Sequence, residues 1–151
     1  MSQKILLDAN LLIAAFDKNG TTSAEKKAQA KSQLSEMLSA PDTVLFITPL
    51  IRYEVLRGIG WTETEDFALM QNILNQFPEL DITRDVSELS ANLFRFDRWE
   101  SEQPPVQARN LEKRKFDIFH FSSASCNELK LSSNDNDIDK ITTLHQRYCQ
   151  N

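Results

Sequence analysis

Ile5, Leu6 and Leu7 run directly into a carboxylate, Asp8, and apolar residues resume at Leu11 and Leu12. A short apolar run without polar alternation reads as a strand buried on both faces, the kind that sits inside a parallel sheet. Parallel strands cannot be joined by hairpins, so such a chain needs crossover segments, usually helices. Asp8 stands at the border of this buried stretch. A carboxylate there is costly unless it is paired, hydrogen-bonded or bound to a metal.

The rest of the chain supplies alternating elements. Thr22 and Glu25 have capping-box spacing ahead of Ala24, Ala28, Leu34 and Leu38, which recur at roughly helical intervals. Residues 44–48 (VLFIT) read as a second strand. Thr48 and Pro49 suit the N-cap and first position of a helix that runs through Leu56 and stops near Gly58. A second capping box, Thr62 with Glu65, precedes a helix carrying Phe67, Met70, Ile73 and Leu74. Residues 80–83 read as a third short strand, and Asp85 with Glu88 opens a helix bearing Val86, Leu89, Leu93 and Phe94. Residues 98–115 are polar, contain Pro104-Pro105 and read as a loop. A helix over 117–128, a short strand near Leu131 and a last helix from Ile138 complete the order. Strands alternating with helices predict one α/β domain over residues 1–151, a three-layer α/β/α arrangement around a central parallel sheet.

Composition narrows the class. Hydrophobic residues at 40% and charged residues at 26% of 151 are globular values. No apolar run approaches the roughly 20 residues that span a bilayer, and the first residues do not resemble a secretory signal. A cytoplasmic protein is expected. Cys126 and Cys149 form no metal-binding spacing and are expected to be reduced thiols. The net charge of -5 argues against a strong nonspecific hold on duplex DNA.

Acidic residues recur near predicted strand ends or helix starts, where parallel α/β sheets hold their ligands. Asp8 follows the first strand, Glu54 lies on the helix after the second, Asp117 opens a later helix, and Asp135 and Asp137 follow the strand near Leu131. Apart from Asp8, whose apolar flanks make an idle role expensive, each has a structural alternative. Asp117 alone reads as an N-cap, Asp135 and Asp137 as turn or cap residues, and Glu54 as a surface partner of Arg52 or Arg57. Taken together, converging carboxylates repel by about 4 kcal/mol per close pair at an effective dielectric of 20. They therefore call for a cation, and hard oxygen ligands select Mg²⁺ or Mn²⁺.

At this point the sequence resembles the PIN-domain ribonucleases, and most closely the VapC-type toxins of bacterial toxin–antitoxin pairs. The stretches LLDANLLIAAF, ITPLIRYEVLRG, FDIFHFSSA and SSNDNDI occur in family order. The resemblance implies a PIN-like fold in which Asp8, Glu54, Asp117 and Asp135 form the acidic quartet around Mg²⁺ or Mn²⁺. Asp137 is then an auxiliary carboxylate and Asn10 a polar neighbour. It further implies metal-dependent hydrolysis of RNA phosphodiester bonds, with tRNA as a candidate substrate, a homodimer, and a small antitoxin as inhibitor. Several positions depart from the family pattern. Ala9 replaces a hydroxyl residue, Ser133 replaces Thr, and Asn127-Glu128-Leu129 replaces a Gly-containing segment.

Other classes fit less well. A haloacid-dehalogenase phosphatase needs a second Asp at the position held by Asn10, and a receiver domain needs an acidic pair and a Lys that are not evident. A non-catalytic PIN-fold module that binds RNA or protein remains the alternative. Of the histidines, His120 lies one turn past Asp117 and reads as a helix-packing or supporting residue, and His145 sits in the tail without partners. Arg109, Lys113, Arg114 and Lys115 are expected either to hold RNA phosphates or to be a solvated loop.

Overall fold

The computed structural model describes residues 3–16, 22–106, 108–133 and 137–151. Among them the chain is a mixed α/β protein with a parallel sheet, and it divides into two compact units. The first comprises Met1–Asp81 with Leu129–Asp135, and the second Ile82–Glu128 with Asn136–Asn151. No helix of the described residues is long and apolar enough to cross a membrane.

The first unit holds the sheet. Strand β1 (Gln3–Leu7) lies between β2 (Thr43–Phe46) and β3 (Lys130–Ser132), parallel to both. Leu6 pairs with Phe46 on one side and with Leu131 on the other. Ile5, Leu6 and Leu7 are all buried, as a central strand with apolar residues on both faces requires. Helices α1 (Ala9–Phe16) and α2 (Ala24–Ser39) connect β1 to β2, and α3 (Pro49–Arg57) and α4 (Thr64–Leu74) follow β2. Helix α1 packs against both α2 and α3, with Leu11, Leu12 and Ala15 from α1 and Leu34 and Ile51 from its neighbours in the core.

Local chemistry sets the helix ends. Thr48 caps α3 as expected, its Oγ1 accepting the Ile51 N–H at 3.2 Å with Pro49 in the first turn. Two other expected caps move by one residue. Ser23, not Thr22, caps α2 by accepting from the Lys26 N–H, and Glu63, not Thr62, occupies the N-cap of α4 without a side-chain bond. Residues 80–83 do not form the expected third strand. The pairing there is a single parallel bridge between Ile47 and Glu79, closed by the Leu80 N–H donating to the Ile47 carbonyl. Thr83 serves the next helix instead, its Oγ1 accepting the Val86 N–H.

The second unit consists of helices α5 (Arg84–Ser101), α6 (Leu111–Cys126) and α7 (Asp137–Cys149), mutually in contact. Leu93, Ile118 and Ile141 form its apolar centre, with Leu89, Phe94, Phe121 and Tyr148 packed around them. The expected loop over 98–115 is cut short at both ends, because α5 continues to Ser101 and α6 begins at Leu111. The physical reason is charge pairing. Asp97 is fully buried on α5, and Arg109 and Arg114 donate to it at 2.7 and 2.8 Å, tying the polar stretch into the fold.

Candidate functional site

The site begins where β1 ends. Asp8 immediately precedes α1, and its carbonyl accepts the Leu11 and Leu12 N–H groups at 3.2 and 3.5 Å, so it stands at the N-cap of that helix. Its own N–H donates to the Ser132 carbonyl at 2.9 Å, which ties it to the end of β3. The Ser133 hydroxyl donates to Asp8 Oδ2 at 2.6 Å, and Gln33 donates to the Ser132 hydroxyl beside it. Asp8 is 1% exposed. The positive end of α1 and the Ser133 hydroxyl are two local sources of compensation for its charge.

Within the same unit, Glu54 is half-buried on α3, between the buried Ile51 and Val55, and α3 packs on the helix that Asp8 caps. Arg52 does not serve Glu54. It makes a two-nitrogen contact with Glu79 at 2.7–2.9 Å. Asn10 is half-buried in the first turn of α1. Ser133 occupies the position where the sequence departs mildly from the family Thr, and its hydroxyl is placed on Asp8. Asp135 lies outside the described residues.

In the second unit, Asp117 is not the helix start that its sequence context predicts. Helix α6 begins six residues earlier at Leu111, capped by Asn110, whose Oδ1 accepts the Lys113 N–H at 3.1 Å. Asp117 is therefore an interior helix residue, buried at 8% exposure, which removes the N-cap explanation for it. Asp137 is the first residue of α7, half-buried between Lys113 and Lys140 at 3.1 and 3.2 Å. Those two ammonium groups hold its carboxyl below the usual range. Among the described residues, no three of His, Cys, Asp or Glu form a ready-made metal cluster.

His120 is fully buried on α6. His145 is not the isolated tail residue the sequence implies: its ring lies 5.0 Å from Phe121, and its Nε2 is 3.5 Å from Cys149 Sγ. Each residue of the basic cluster has an acidic partner. Arg109 bonds Asp97 and Glu100, Arg114 bonds Asp97, Lys113 meets Asp137, and Lys115 meets Glu112. Arg147 completes the network with two bonds of 2.7 Å to Glu100. The Arg147 bonds, joined by those of Arg109, outweigh partial burial and hold the Glu100 carboxyl below its usual range. Burial pulls the Arg109 guanidinium down, but bonds to Asp97 and Glu100 more than offset it.

Asp97 itself escaped the sequence reading. The signal was present, since the buried residues of α5 are Val86, Ser90, Leu93 and Asp97, which follow helical spacing into the core. A carboxylate on the apolar stripe of a helix announces a buried partner.

No protein-family model and no curated protein sequence matches the chain. Its structure does match solved ones. VapBC2 from Rickettsia felis, determined bound to a DNA fragment from its promoter, aligns at 17% identity over 88% of each chain with a TM-score of 0.59. A toxin–antitoxin complex from Klebsiella pneumoniae aligns at 21% identity over 87% of this chain and 86% of that one, with a TM-score of 0.56. Mycobacterium tuberculosis VapC20, a toxin that cleaves the sarcin–ricin loop, aligns at 12% identity over 90% and 93%, with a TM-score of 0.58. The chain has the fold of the VapC-type PIN-domain toxins, the family that its motifs resemble.

Proposed function

We propose that this chain, built on that fold, is a metal-dependent endoribonuclease acting as the toxin of a toxin–antitoxin pair. The observation that carries the reading is Asp8, a buried carboxylate at the carboxyl end of the central strand with Ser133 hydrogen-bonded to it. That bond joins the end of β3 to the residue that opens the acidic set.

The donor types fit a hard divalent cation. Asp8 and Asp117 are buried carboxylates, and Glu54 and Asp137 are partly buried ones. By the family resemblance, Asp8, Glu54, Asp117 and Asp135 would be the residues that hold Mg²⁺ or Mn²⁺, with Asp137 auxiliary. When bound, such an ion supplies an activated water and neutralises charge developing on the scissile phosphate. Ser133 orients the Asp8 carboxylate at the N-terminus of α1. Lys113 and Lys140 hold Asp137 ionised. The substrate on this reading is a looped RNA, in which unstacked bases are accessible. The solved relatives that are toxin–antitoxin complexes support a small antitoxin as partner, and a homodimer is the assembly that the family resemblance implies.

A second reading, a non-catalytic binding module on the same fold, draws on the same residue, because capping α1 and accepting from Ser133 already compensate Asp8. RNA turnover separates the two. A nuclease-free preparation should cleave RNA with Mn²⁺, lose cleavage in EDTA and regain it on adding Mn²⁺. Cleavage that survives chelation rejects the metal mechanism, and RNA left intact with Mn²⁺ favours the binding module.

A further inference from the structure

The second unit distributes its positive charge unevenly. Every Lys and Arg of that unit from Arg109 onward has a carboxylate partner: Arg109, Lys113, Arg114, Lys115, Lys140 and Arg147. On α5 the situation reverses. Arg95 donates only to the neutral Asn92 Oδ1, and the Arg98 guanidinium makes no hydrogen bond or ion pair among the described residues. Both line one open groove together with Phe96, Trp99 and Tyr148.

The three rings form a continuous array. Phe96 and Trp99 stack at 5.8 Å with 26° between planes, and Tyr148 meets Phe96 edge-on at 6.0 Å. Trp99 is 53% exposed, so much of its surface is left to a ligand. Glu102 also lines the groove. An aromatic platform flanked by two guanidinium groups without an acidic partner among the described residues matches the needs of an unpaired base and its phosphates. Every base has a face that can stack, and the arginines can take the backbone charge. A purely apolar protein helix would leave both arginines without an acceptor.

We propose that this groove on α5 and α7 seats a single-stranded RNA segment, with a base on Trp99 and phosphates at Arg95 and Arg98. The inference rests on RNA being the substrate, and it replaces the paired cluster at 109–115 as the source of phosphate binding.

The test is binding in EDTA, which does not depend on cleavage. In the full chain carrying Trp61→Phe, Trp99 is the sole tryptophan, and Trp61 is 96% exposed, so its replacement leaves packing alone. An unstructured oligoribonucleotide should quench Trp99 fluorescence saturably. In the parent chain, Trp99→Ala should weaken binding about tenfold or more, measured by anisotropy of a labelled RNA, and Trp99→Phe should restore much of it. Arg95→Ala with Arg98→Ala should lower the slope of log Kd against log salt by about 0.7 for each phosphate no longer neutralised. RNA binding unchanged in both variants overturns the groove while leaving the proposed nuclease intact, which Mn²⁺-dependent cleavage reports separately. A Trp99→Ala protein that binds RNA normally but changes its sedimentation would also overturn it, identifying the groove as a protein interface.

Discussion

Asp8 and Asp97 are both carboxylates with almost no exposure, yet they are compensated differently. Asp97 receives guanidinium groups, with Arg114 reaching both of its oxygens. Asp8 receives a hydroxyl and a helix N-terminus. The difference predicts opposite mutational behaviour. Asp97→Ala should destabilise the protein by about 3 kcal/mol or more, measured by urea denaturation, because the partly buried Arg114 loses its acceptor and Arg109 keeps only Glu100. Asp8→Asn keeps the shape and the helix cap, so in EDTA its stability should stay within about 1 kcal/mol of the parent. With Mn²⁺ at a hundredfold excess over Kd the parent should gain about 2.7 kcal/mol and the variant much less, with cleavage lost. Equal Mn²⁺ responses in the two melts would remove Asp8 from the metal site.

Among the elements, the two ends of α3 and the exit of α6 show how local chemistry sets boundaries. Thr48 is fully buried and caps α3, so Thr48→Ala should cost on the order of 1 kcal/mol, more if the freed N–H stays dry. Gly58 ends α3 at φ -79°, an ordinary right-handed conformation, with the nearest atom to an added Cβ at 3.7 Å. Its glycine is not needed for the turn, and Gly58→Ala should leave stability equal or slightly higher. Glu128, after α6, is the converse. It has φ 57°, the left-handed conformation, in the segment where the family pattern places Gly and this chain has none. Glu128→Gly should therefore stabilise by about 1 kcal/mol in thermal or urea unfolding. A loss of stability would show that the Glu128 side chain offsets the strain.

For the whole molecule, a net charge of -5 coexists with an ion-pair network that uses most cations of the helical unit. Glu100 and Asp137 are both held below their usual carboxyl range by these partners. The folded state therefore binds fewer protons than the unfolded one in acid. Their stabilisation is complete above the unfolded carboxyl range and is lost as pH falls through the lowered folded values. Unfolding followed by circular dichroism should show stability declining below about pH 4.5, and Glu100→Gln with Asp137→Asn should flatten that decline. The same pairing explains why charge counted along residues 109–115 misleads: a run of cations is a patch only when its acids are elsewhere.

What could be read before any coordinates was whatever depends on near neighbours in the chain. The doubly buried strand, the Thr48–Pro49 helix start, the parallel α/β order and the acidic residue at the end of β1 all follow from spacing and side-chain type, because strand periodicity, capping and burial cost act over a few residues. The resemblance of four ordered motifs likewise needed only the sequence. Folding decided the matters that turn on partners distant in sequence. Ser133 meets Asp8 across 125 residues, and Arg114 meets Asp97 across 17. Those bonds place a hydroxyl on Asp8 and draw 98–115 largely into helices. They also commit the basic cluster to acids of its own unit, leaving Arg95 and Arg98 beside Trp99. An electrostatic or hydrogen-bonding role belongs to a pair, and the second member is supplied only when the chain closes on itself.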